Sequence, residues 1–336
     1  GYFVKVAAEN TKVACDVLSD MLINSTFKQE EIDKERGVIL EEYNMYQDTP
    51  MYQVGWDFER LLYGDQPMGW DQVGTKELIG GVTHDDFVRY FNALYTPDNI
   101  VISVAGNISH EKVVSQVKKF FKFKDGNKAF HFTALEKNSS RERVFLQHKK
   151  TEQAHVVGGF PAYPEEHKDH YVEKVLSVIL GGNMSSRMFL GVREAKGLAY
   201  YIHTTTDDYI DTGIISTRAG VDVKRINLAI QAICEEYKKI RGEKISAQEL
   251  KKSKEYLKGK FALRLEDSEE FAHLNGKQEL LHGKIKTPEQ IAKEIDAVTA
   301  ADIARVSADL FNEKELRLAV IGPYEKKEEF EKILRI

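Results

Sequence analysis

The sequence predicts an α+β fold of two homologous α/β sandwich domains, each an antiparallel sheet covered by helices, with the first domain truncated at its N-terminus. The first observation is an internal repeat. Val82–Gly106 aligns without a gap to Val298–Gly322 at an offset of 216 residues (298 minus 82), and seven of the 25 positions are identical. Average composition gives about one or two identities by chance. The second observation is that alternating, strand-like segments interleave with pairs of helical segments, a pattern typical of α+β sandwiches.

The repeat also predicts how the domains are arranged along the chain. Solenoid repeats have periods of about 20 to 50 residues, so a longer offset indicates a duplicated domain. The second domain is expected to begin near Arg141, and subtracting 216 places the start of the first domain roughly 75 residues before Gly1. We therefore expect residues 1–125 to be the remainder of the first domain, 126–140 a linker and 141–336 the second domain.

The first-domain elements follow from periodicity and end signals. Tyr2–Ala7 is typical of a short strand, and Asn10 or Thr11 is a candidate cap for the helix that follows. A second helix is predicted over Gln29–Tyr46, ending before Pro50, because the residue before proline avoids the helical region. The first repeat copy then predicts a helix, a turn, an apolar strand and a closing helix at about His110–Phe121.

The second domain opens with strand patterns and closes with the second repeat copy. Alternation predicts strands at Val144–His148, His155–Phe160, Leu198–Thr206 and Thr212–Ala219. The helical period predicts helices at Lys168–Leu180, Ser185–Lys196, Val223–Ile240, Ala247–Leu265 and Glu269–His282. Glycines at 181–182 and 197 are natural helix stops.

Composition excludes several classes of function. The net charge is −5 and acidic and basic residues are interspersed, so no nucleic-acid partner is indicated. No apolar run approaches the roughly 20 residues of a membrane span. Cys15 and Cys234 lie far apart in helical patterns, which favours two buried thiols over a disulfide. Free thiols favour a reducing compartment, so we expect a cytoplasmic protein.

The helix predicted over Gln29–Tyr46 carries two carboxylates at unusual positions. Glu35 and Glu42 share one face with Ile32, Ile39 and Tyr46, because these residues follow a 3-4-3-4 spacing. That apolar stripe is expected to pack inward, and burying a carboxylate is costly unless it is paired or binds a metal. The alternative is that both are surface glutamates at a helix edge, and spacing alone leaves both interpretations open.

A second candidate site lies around the glycine at position 197. Arg193 is predicted in the last turn of a helix, and Tyr200 on the strand after the stop. A guanidinium and a phenolic hydroxyl at these positions could converge on a peptide carbonyl. The alternative is an arginine close to the carbonyls of its own helix end, beside a half-buried tyrosine.

With these residues in place, the chain resembles the pitrilysin/insulinase-type zinc metallopeptidases, in the branch that includes the mitochondrial processing peptidases. The resemblance covers essentially the whole chain and implies two similar α+β domains around a large chamber. The stretches that carry it are Glu35–Glu42, Gln66–Gly69, Gly74–Thr75, Tyr95–Asn99, Ala105–Asn107, Leu180–Gly182, Ser185–Phe189 and Arg193–Tyr200.

The resemblance implies roles for the candidate residues. Glu42 matches the third zinc ligand, with Glu41 as its rival for that role. Glu35 matches the glutamate that supports the metal site without binding the metal itself. Arg193 and Tyr200 match the pair that contacts the substrate backbone and the developing oxyanion. The resemblance also implies a peptide substrate and a homodimer.

One departure from the family pattern is large. The inverted zinc motif H-x-x-E-H, which supplies two histidine ligands and the general base, is absent from these 336 residues and is expected before Gly1. The intact protein is therefore predicted to be a Zn²⁺-dependent metallo-endopeptidase. The chain by itself is predicted to be metal-free and inactive. The alternatives are a non-catalytic scaffold or substrate-binding subunit and, less favoured, a stand-alone peptide-binding module.

Overall fold

A computed structural model describes residues 1–136 and 142–336 of the protein, which form two compact units. The predicted boundary at Arg141 and the linker end at 137–140 lie outside the described residues, so the domain limits stay a prediction. The first unit comprises Gly1–Glu41, Thr75–Phe132 and Lys260–Pro288. The second unit comprises Glu42–Gly74, Thr133–Gly259 and Glu289–Ile336.

The described elements confirm the α+β class. Before residue 137 the helices are α1 (Thr11–Ile23), α2 (Gln29–Gln47), α3 (Pro50–Tyr63), α4 (Lys76–Gly81), α5 (His84–Leu94) and α6 (His110–Phe120). After residue 141 they are α7 (His170–Gly181), α8 (Ile226–Gly242), α9 (Ala247–Arg264), α10 (Ser268–His282), α11 (Pro288–Ala297), α12 (Ala300–Leu310) and α13 (Glu328–Ile333). The strands are β1 (Val144–His148), β2 (Gln153–Ala162), β3 (Ala199–Asp208), β4 (Gly213–Asp222) and β5 (Arg317–Gly322).

The five strands form one sheet in the second unit, in the order β1-β5-β2-β4-β3. The β1–β5 pair is parallel, and the other neighbours are antiparallel. All six residues of β5 are buried, as expected for an inner strand covered on both faces. The strand β3 lies at one edge of the sheet, and its second residue is Tyr200 of the predicted site.

Helices cover both faces of this sheet. On one face, Val54 and Phe58 of α3 pack in a core cluster with Val157, Ile214 and Ile321 of the strands. The helix α3 is not predicted from the sequence, because Pro50 is interpreted there only as a signal that ends α2. A proline at the first helical position also starts a helix well, since its missing N–H needs no partner there.

On the other face, Tyr237 of α8 lies at the centre of an aromatic cluster. Its ring meets Phe160 at 5.1 Å between centroids and Phe311 at 5.2 Å. Its hydroxyl lies 2.9 Å from the Gly158 carbonyl oxygen and 2.6 Å from the Thr217 hydroxyl. A buried tyrosine needs such partners, so this residue anchors α8 on the sheet.

The internal repeat has the same helix geometry in both copies. The helices α5 and α12 each begin with a capping box, made by Thr83 with Asp86 and by Thr299 with Asp302. The helices also end alike, since Tyr95 has φ −89° and ψ 62°, and Phe311 has φ −84° and ψ 63°. A capping box satisfies two backbone donors at a helix start, which explains why the Thr and Asp occur in both copies.

The strand halves of the two copies differ. The second copy forms β5, whereas the first copy forms no strand at 100–106, where Val101, Ile102 and Val104 are 37–41% exposed. The strand predicted at Tyr2–Ala7 is also wrong, since that segment is not assigned to a strand. A strand requires a hydrogen-bonded neighbour, and the described residues of the first unit contain no strand with which either segment could pair.

Gly181 gives a stability prediction, because it ends α7 directly against β3. A Cβ at this position would lie 2.1 Å from the Thr204 hydroxyl oxygen and 2.6 Å from its backbone nitrogen. Thr204 is buried and bonded to Thr217 at 2.8 Å, so it has no room to withdraw. We expect Gly181→Ala to lower the free energy of unfolding by about 1–3 kcal/mol, measured by urea denaturation. The control is Gly242→Ala at the end of α8, where an added Cβ would meet no atom within 4 Å apart from its chain neighbours and the backbone of its own helix. Equal losses in the two variants would contradict the predicted clash.

Glu173 gives a prediction about pH. Its side chain in α7 is buried, Oε2 accepts a hydrogen bond from the Tyr163 N–H at 3.2 Å, and Oε1 has no partner among the described residues. Burial raises the pKa of Glu173 from 4.5 to about 8, and the nearby Asp208 carboxylate adds a smaller effect in the same direction. The Tyr163 N–H and the Lys174 ammonium oppose the shift. The folded state therefore keeps a proton that the unfolded state releases, so this group makes stability fall as pH rises from about 4.5 to about 8.

We expect Glu173→Gln to remove that part of the pH dependence, because an amide stays neutral and still accepts from the Tyr163 N–H. Urea denaturation at about pH 5 and about pH 8 should show the variant gaining stability relative to the native protein at the higher pH. The matched control is Glu329→Gln, at an exposed position of α13. An unchanged pH slope in Glu173→Gln would refute the assignment.

Candidate active site

The two predicted carboxylates lie on one face of α2. Glu35 and Glu42 are seven residues apart (42 minus 35), or two helical turns. Both are exposed, and Ile32 is the buried residue of this helix. The apolar residues Ile32, Ile39 and Tyr46 of the stripe are buried or half-buried, whereas the two carboxylates are surface groups, which is the alternative that the spacing leaves open. Each carboxylate remains hydrated and carries none of the cost of burial.

Glu42 has a polar neighbour on its own helix. The Tyr46 hydroxyl donates to Glu42 Oε1 at 3.3 Å, and the Tyr46 ring packs against Trp56 at 4.9 Å between centroids. Glu41 is also exposed, but it is rotated about 100° around the helix axis. The two carboxylates therefore leave α2 in different directions.

These residues do not fit a complete zinc site. A catalytic zinc normally requires three protein ligands besides its open position. Within residues 1–136 and 142–336, no group of three His, Cys, Asp or Glu side chains is placed to hold a metal ion. The polar groups seen at Glu42 are one carboxylate and one phenolic hydroxyl, which is too few.

The segment that carries Arg193 and Tyr200 has a distinct backbone. Within the helix predicted over Ser185–Lys196, Phe189–Glu194 is a π-helix. The stop at Gly197 is present, with φ 56° in the left-handed region that suits glycine. Its N–H donates to the Arg193 carbonyl at 2.9 Å, and the Leu198 N–H donates to the Val192 carbonyl at 3.1 Å. We call residues 193–200 the Gly197 turn. Short π-helical segments occur frequently at functional sites.

Arg193 is held over an aromatic ring while its charge faces solvent. Its guanidinium carbon lies 4.7 Å from the centroid of Phe189, one turn earlier. Phe189 is buried and Arg193 is exposed. A cation–π contact at an exposed site contributes about 0.5–1 kcal/mol. It orders the side chain without using the N–H donors, and no described residue accepts a hydrogen bond from them.

Tyr200 lies at a β-bulge on the edge strand. In the β3–β4 register, Ala199 opposes Val221 and Tyr201 opposes Gly220, so Tyr200 is the extra residue. Bulges near sheet edges redirect a side chain, and Tyr200 is 56% exposed. The Tyr200 side chain is thus more exposed than in the alternative interpretation, which describes it as a half-buried tyrosine.

The neighbouring tyrosine has a different environment. The Tyr201 hydroxyl lies 3.0 Å from His155 Nδ1. Burial lowers the pKa of His155, which favours the neutral imidazole and lets Nδ1 accept the hydrogen bond. The Tyr201 ring lies so close to Gly220 that a Cβ there would be 2.4 Å from it. Of the two adjacent tyrosines, Tyr200 is therefore the one whose hydroxyl is available to a ligand.

The structure brings Arg193 and Tyr200 to the two ends of one constrained turn, and it places Glu35 and Glu42 on one helix. No hydrogen bond or ion pair between described residues joins Glu42 to Arg193 or Tyr200. The Gly197 turn offers a guanidinium and a phenolic hydroxyl, both hydrogen-bond donors. Two such donors suit a carbonyl oxygen that gains negative charge.

The sequence interpretation assigns no role in the site to Phe189 or Arg225, although both contact this segment. Phe189 was detectable, because an aromatic residue four positions before an arginine meets it on a helical surface. The Arg225 guanidinium donates to the Lys196 carbonyl at 3.0 Å and to the Gly197 carbonyl at 3.1 Å. No sequence signal indicates that contact, because it depends on how α8 packs.

Comparison with known proteins agrees with this mixed fold. The sequence profile described as "Insulinase (Peptidase family M16)" matches residues 1–62, and the one described as "Peptidase M16 inactive domain" matches residues 81–257. An uncharacterized zinc protease of Bacillus subtilis is 37% identical over 322 residues, covering 96% of this chain and 78% of that protein. One of Streptomyces coelicolor is 32% identical, covering 97% and 72%.

Solved structures have the same fold. A protease from Helicobacter pylori has a TM-score of 0.87 at 21% identity, covering 95% of this chain and 78% of that one. A peptidase M16 inactive domain from Pseudomonas fluorescens has a TM-score of 0.87 at 14% identity, covering 95% and 76%.

The fold and the profile matches together define a peptidase-type α+β protein. The chain belongs to the insulinase family of peptidases, M16. Within the described residues, no helix is long and apolar enough to cross a membrane.

Proposed function

We propose that the chain is the substrate-clamping part of a Zn²⁺-dependent M16 metallo-endopeptidase that cleaves peptides or unfolded segments inside a two-domain chamber. We call the form of the polypeptide that also carries the zinc motif the intact enzyme. The observation that carries the proposal is the Gly197 turn, which presents Arg193 and Tyr200 at its two ends. The relatives named as zinc proteases support the reaction class.

In this proposal, Arg193 and Tyr200 bind the carbonyl of the scissile peptide. The Arg193 guanidinium is a planar cation with several N–H donors, so it attracts negative charge as it develops on that oxygen. The Tyr200 hydroxyl donates the second hydrogen bond. Donors that are already ordered before the substrate binds stabilise a transition state at little cost in reorganisation, and the Phe189 contact supplies that order for Arg193.

The metal is treated separately, because the described residues do not fit a complete zinc site. We propose that Glu42 is one ligand and Glu35 a supporting carboxylate in the intact enzyme. We propose further that the chain by itself holds no zinc and cleaves no peptide. A homodimer and a cytoplasmic location are part of the same proposal and rest on the family resemblance and the free thiols.

A second candidate function is a non-catalytic scaffold or substrate-binding subunit of a peptidase pair. The observation that favours it is that residues 1–136 and 142–336 contain no group of three His, Cys, Asp or Glu side chains placed to hold a metal ion. The profile described as an inactive domain, matched over residues 81–257, is compatible with this role.

Variants of the Gly197 turn separate the candidates. Arg193→Ala and Tyr200→Phe would be made in the intact enzyme, and peptide turnover and peptide affinity would both be measured. A loss of turnover that exceeds the loss of affinity supports the enzyme, whereas a loss of affinity without any turnover in the parent supports a binding subunit. No effect on either quantity rules out a substrate role for this turn and leaves the scaffold.

A further inference from the structure

The Gly197 turn is fastened to helix α8 from several sides. Arg225, immediately before α8, donates one guanidinium nitrogen to the Lys196 carbonyl at 3.0 Å and the other to the Gly197 carbonyl at 3.1 Å. These two carbonyls lie in the middle of the turn, between Arg193 and Tyr200. The planar guanidinium presents its donors in a rigid fork, so one side chain fixes two successive peptide groups.

Two further contacts join α8 to the turn and to the π-helix before it. The Lys196 ammonium pairs with the Glu235 carboxylate at 2.9 Å. The backbone at Gly191 lies so close to Glu236 that a Cβ there would be 2.8 Å from its carboxylate oxygen. Helix α8 is itself anchored on the sheet by the buried Tyr237. The π-helix and the turn therefore rest on a rigid element.

We propose that Arg225 is a positioning residue for peptide hydrolysis, which sets the separation between the Arg193 guanidinium and the Tyr200 hydroxyl through the Lys196 and Gly197 carbonyls. This inference rests on the proposed function. Arg225 is exposed, and both of its bonds go to backbone carbonyls of the turn, so its effect on the site does not depend on contact with the substrate.

The physical reason is the geometry of the turn. Gly197 has a positive φ and no Cβ, and glycine is permissive, so this residue by itself does not restrict the turn to the conformation observed. Other conformations of the turn are therefore open to it. The Arg225 fork selects one of them before the substrate binds. A misplacement of about 1 Å at a catalytic group can cost on the order of 100-fold in rate. Loosening the turn should therefore affect kcat more than overall stability.

The test compares Arg225→Met and Arg225→Lys with the control Arg241→Met, all made in the intact enzyme. Arg241 is an exposed arginine in the last turn of α8. Arg225→Met is expected to lower kcat about 10- to 100-fold, with KM changed less and the melting temperature nearly kept. Arg225→Lys should recover part of the loss, because an ammonium can bond one carbonyl but does not reproduce the fork. Arg241→Met should match the parent.

A double-mutant cycle distinguishes positioning from a general structural role. In a Tyr200→Phe background, Arg225→Met should cost much less than in the parent, because the group that it positions is gone. Equal costs in the two backgrounds, or a normal kcat in Arg225→Met, would overturn the inference. If Arg193→Ala and Tyr200→Phe themselves leave turnover unchanged, the proposed function fails and this inference fails with it. If those variants lower turnover and Arg225→Met does not, the inference alone fails.

Discussion

Replacing Arg193 with alanine in the intact enzyme is expected to lower kcat/KM for peptide hydrolysis about 10²- to 10³-fold, the cost of removing one donor from an oxyanion site. The exposed guanidinium donates to no described residue and is ordered only by the Phe189 ring. Its loss should therefore remove a transition-state contact and little stability. Steady-state kinetics on a quenched fluorescent peptide, with a melting curve for each variant, measures both effects.

Two companion variants make this result interpretable. Arg193→Lys keeps the charge but not the planar fork, so it should recover only part of the activity. Glu194→Gln changes the next exposed residue and should behave as the parent. If Arg193→Ala retained full kcat/KM, or lost activity only in proportion to folded protein, Arg193 would have no role in the reaction.

Replacing Glu42 with glutamine in the intact enzyme is expected to produce the second large effect, loss of bound zinc and of peptidase activity together. An amide lacks the negative charge of the proposed ligand. Loss of an outer-shell partner typically costs about 10- to 100-fold in metal affinity, and loss of a ligand should cost more. Competition with a fluorescent zinc chelator measures the affinity directly.

The neighbouring glutamates provide the controls for this prediction. Glu35→Gln, on the same face of α2, should weaken zinc by the smaller, outer-shell amount. Glu41→Gln, on a different face, should leave zinc binding unchanged. A larger effect from Glu41→Gln than from Glu42→Gln would exchange the two assignments. Equal, small effects from all three would place the metal elsewhere.

Much of the second unit could be predicted from sequence, because its signals are local. The capping residues of α12 and the alternation of β2, β3 and β4 depend on nearby residues. The seven repeat identities included Thr299 and Asp302, which form one of the two capping boxes. The strand predicted at 100–106 failed because a strand is a pairing between segments, and no apolar run specifies its own partner.

The site was predictable in outline and not in detail. The positions of Arg193, Gly197 and Tyr200 predict a turn that carries two hydrogen-bond donors. The π-helix and the β-bulge are not predicted, because they depend on packing against α8 and β4. The helical period correctly put Glu35 and Glu42 on one face. It could not decide whether that face is covered, because burial depends on the other elements of the fold.

The most direct test of the central claim, that the Gly197 turn binds a peptide backbone, is calorimetric titration of an unfolded peptide into the 336-residue chain and into its Arg193→Ala variant. This experiment needs no zinc and no turnover. A hydrogen bond from a charged group contributes about 1.5–3 kcal/mol, so the account predicts binding that weakens at least about tenfold in the variant. No binding by the parent chain, or equal affinity in the two proteins, would contradict it.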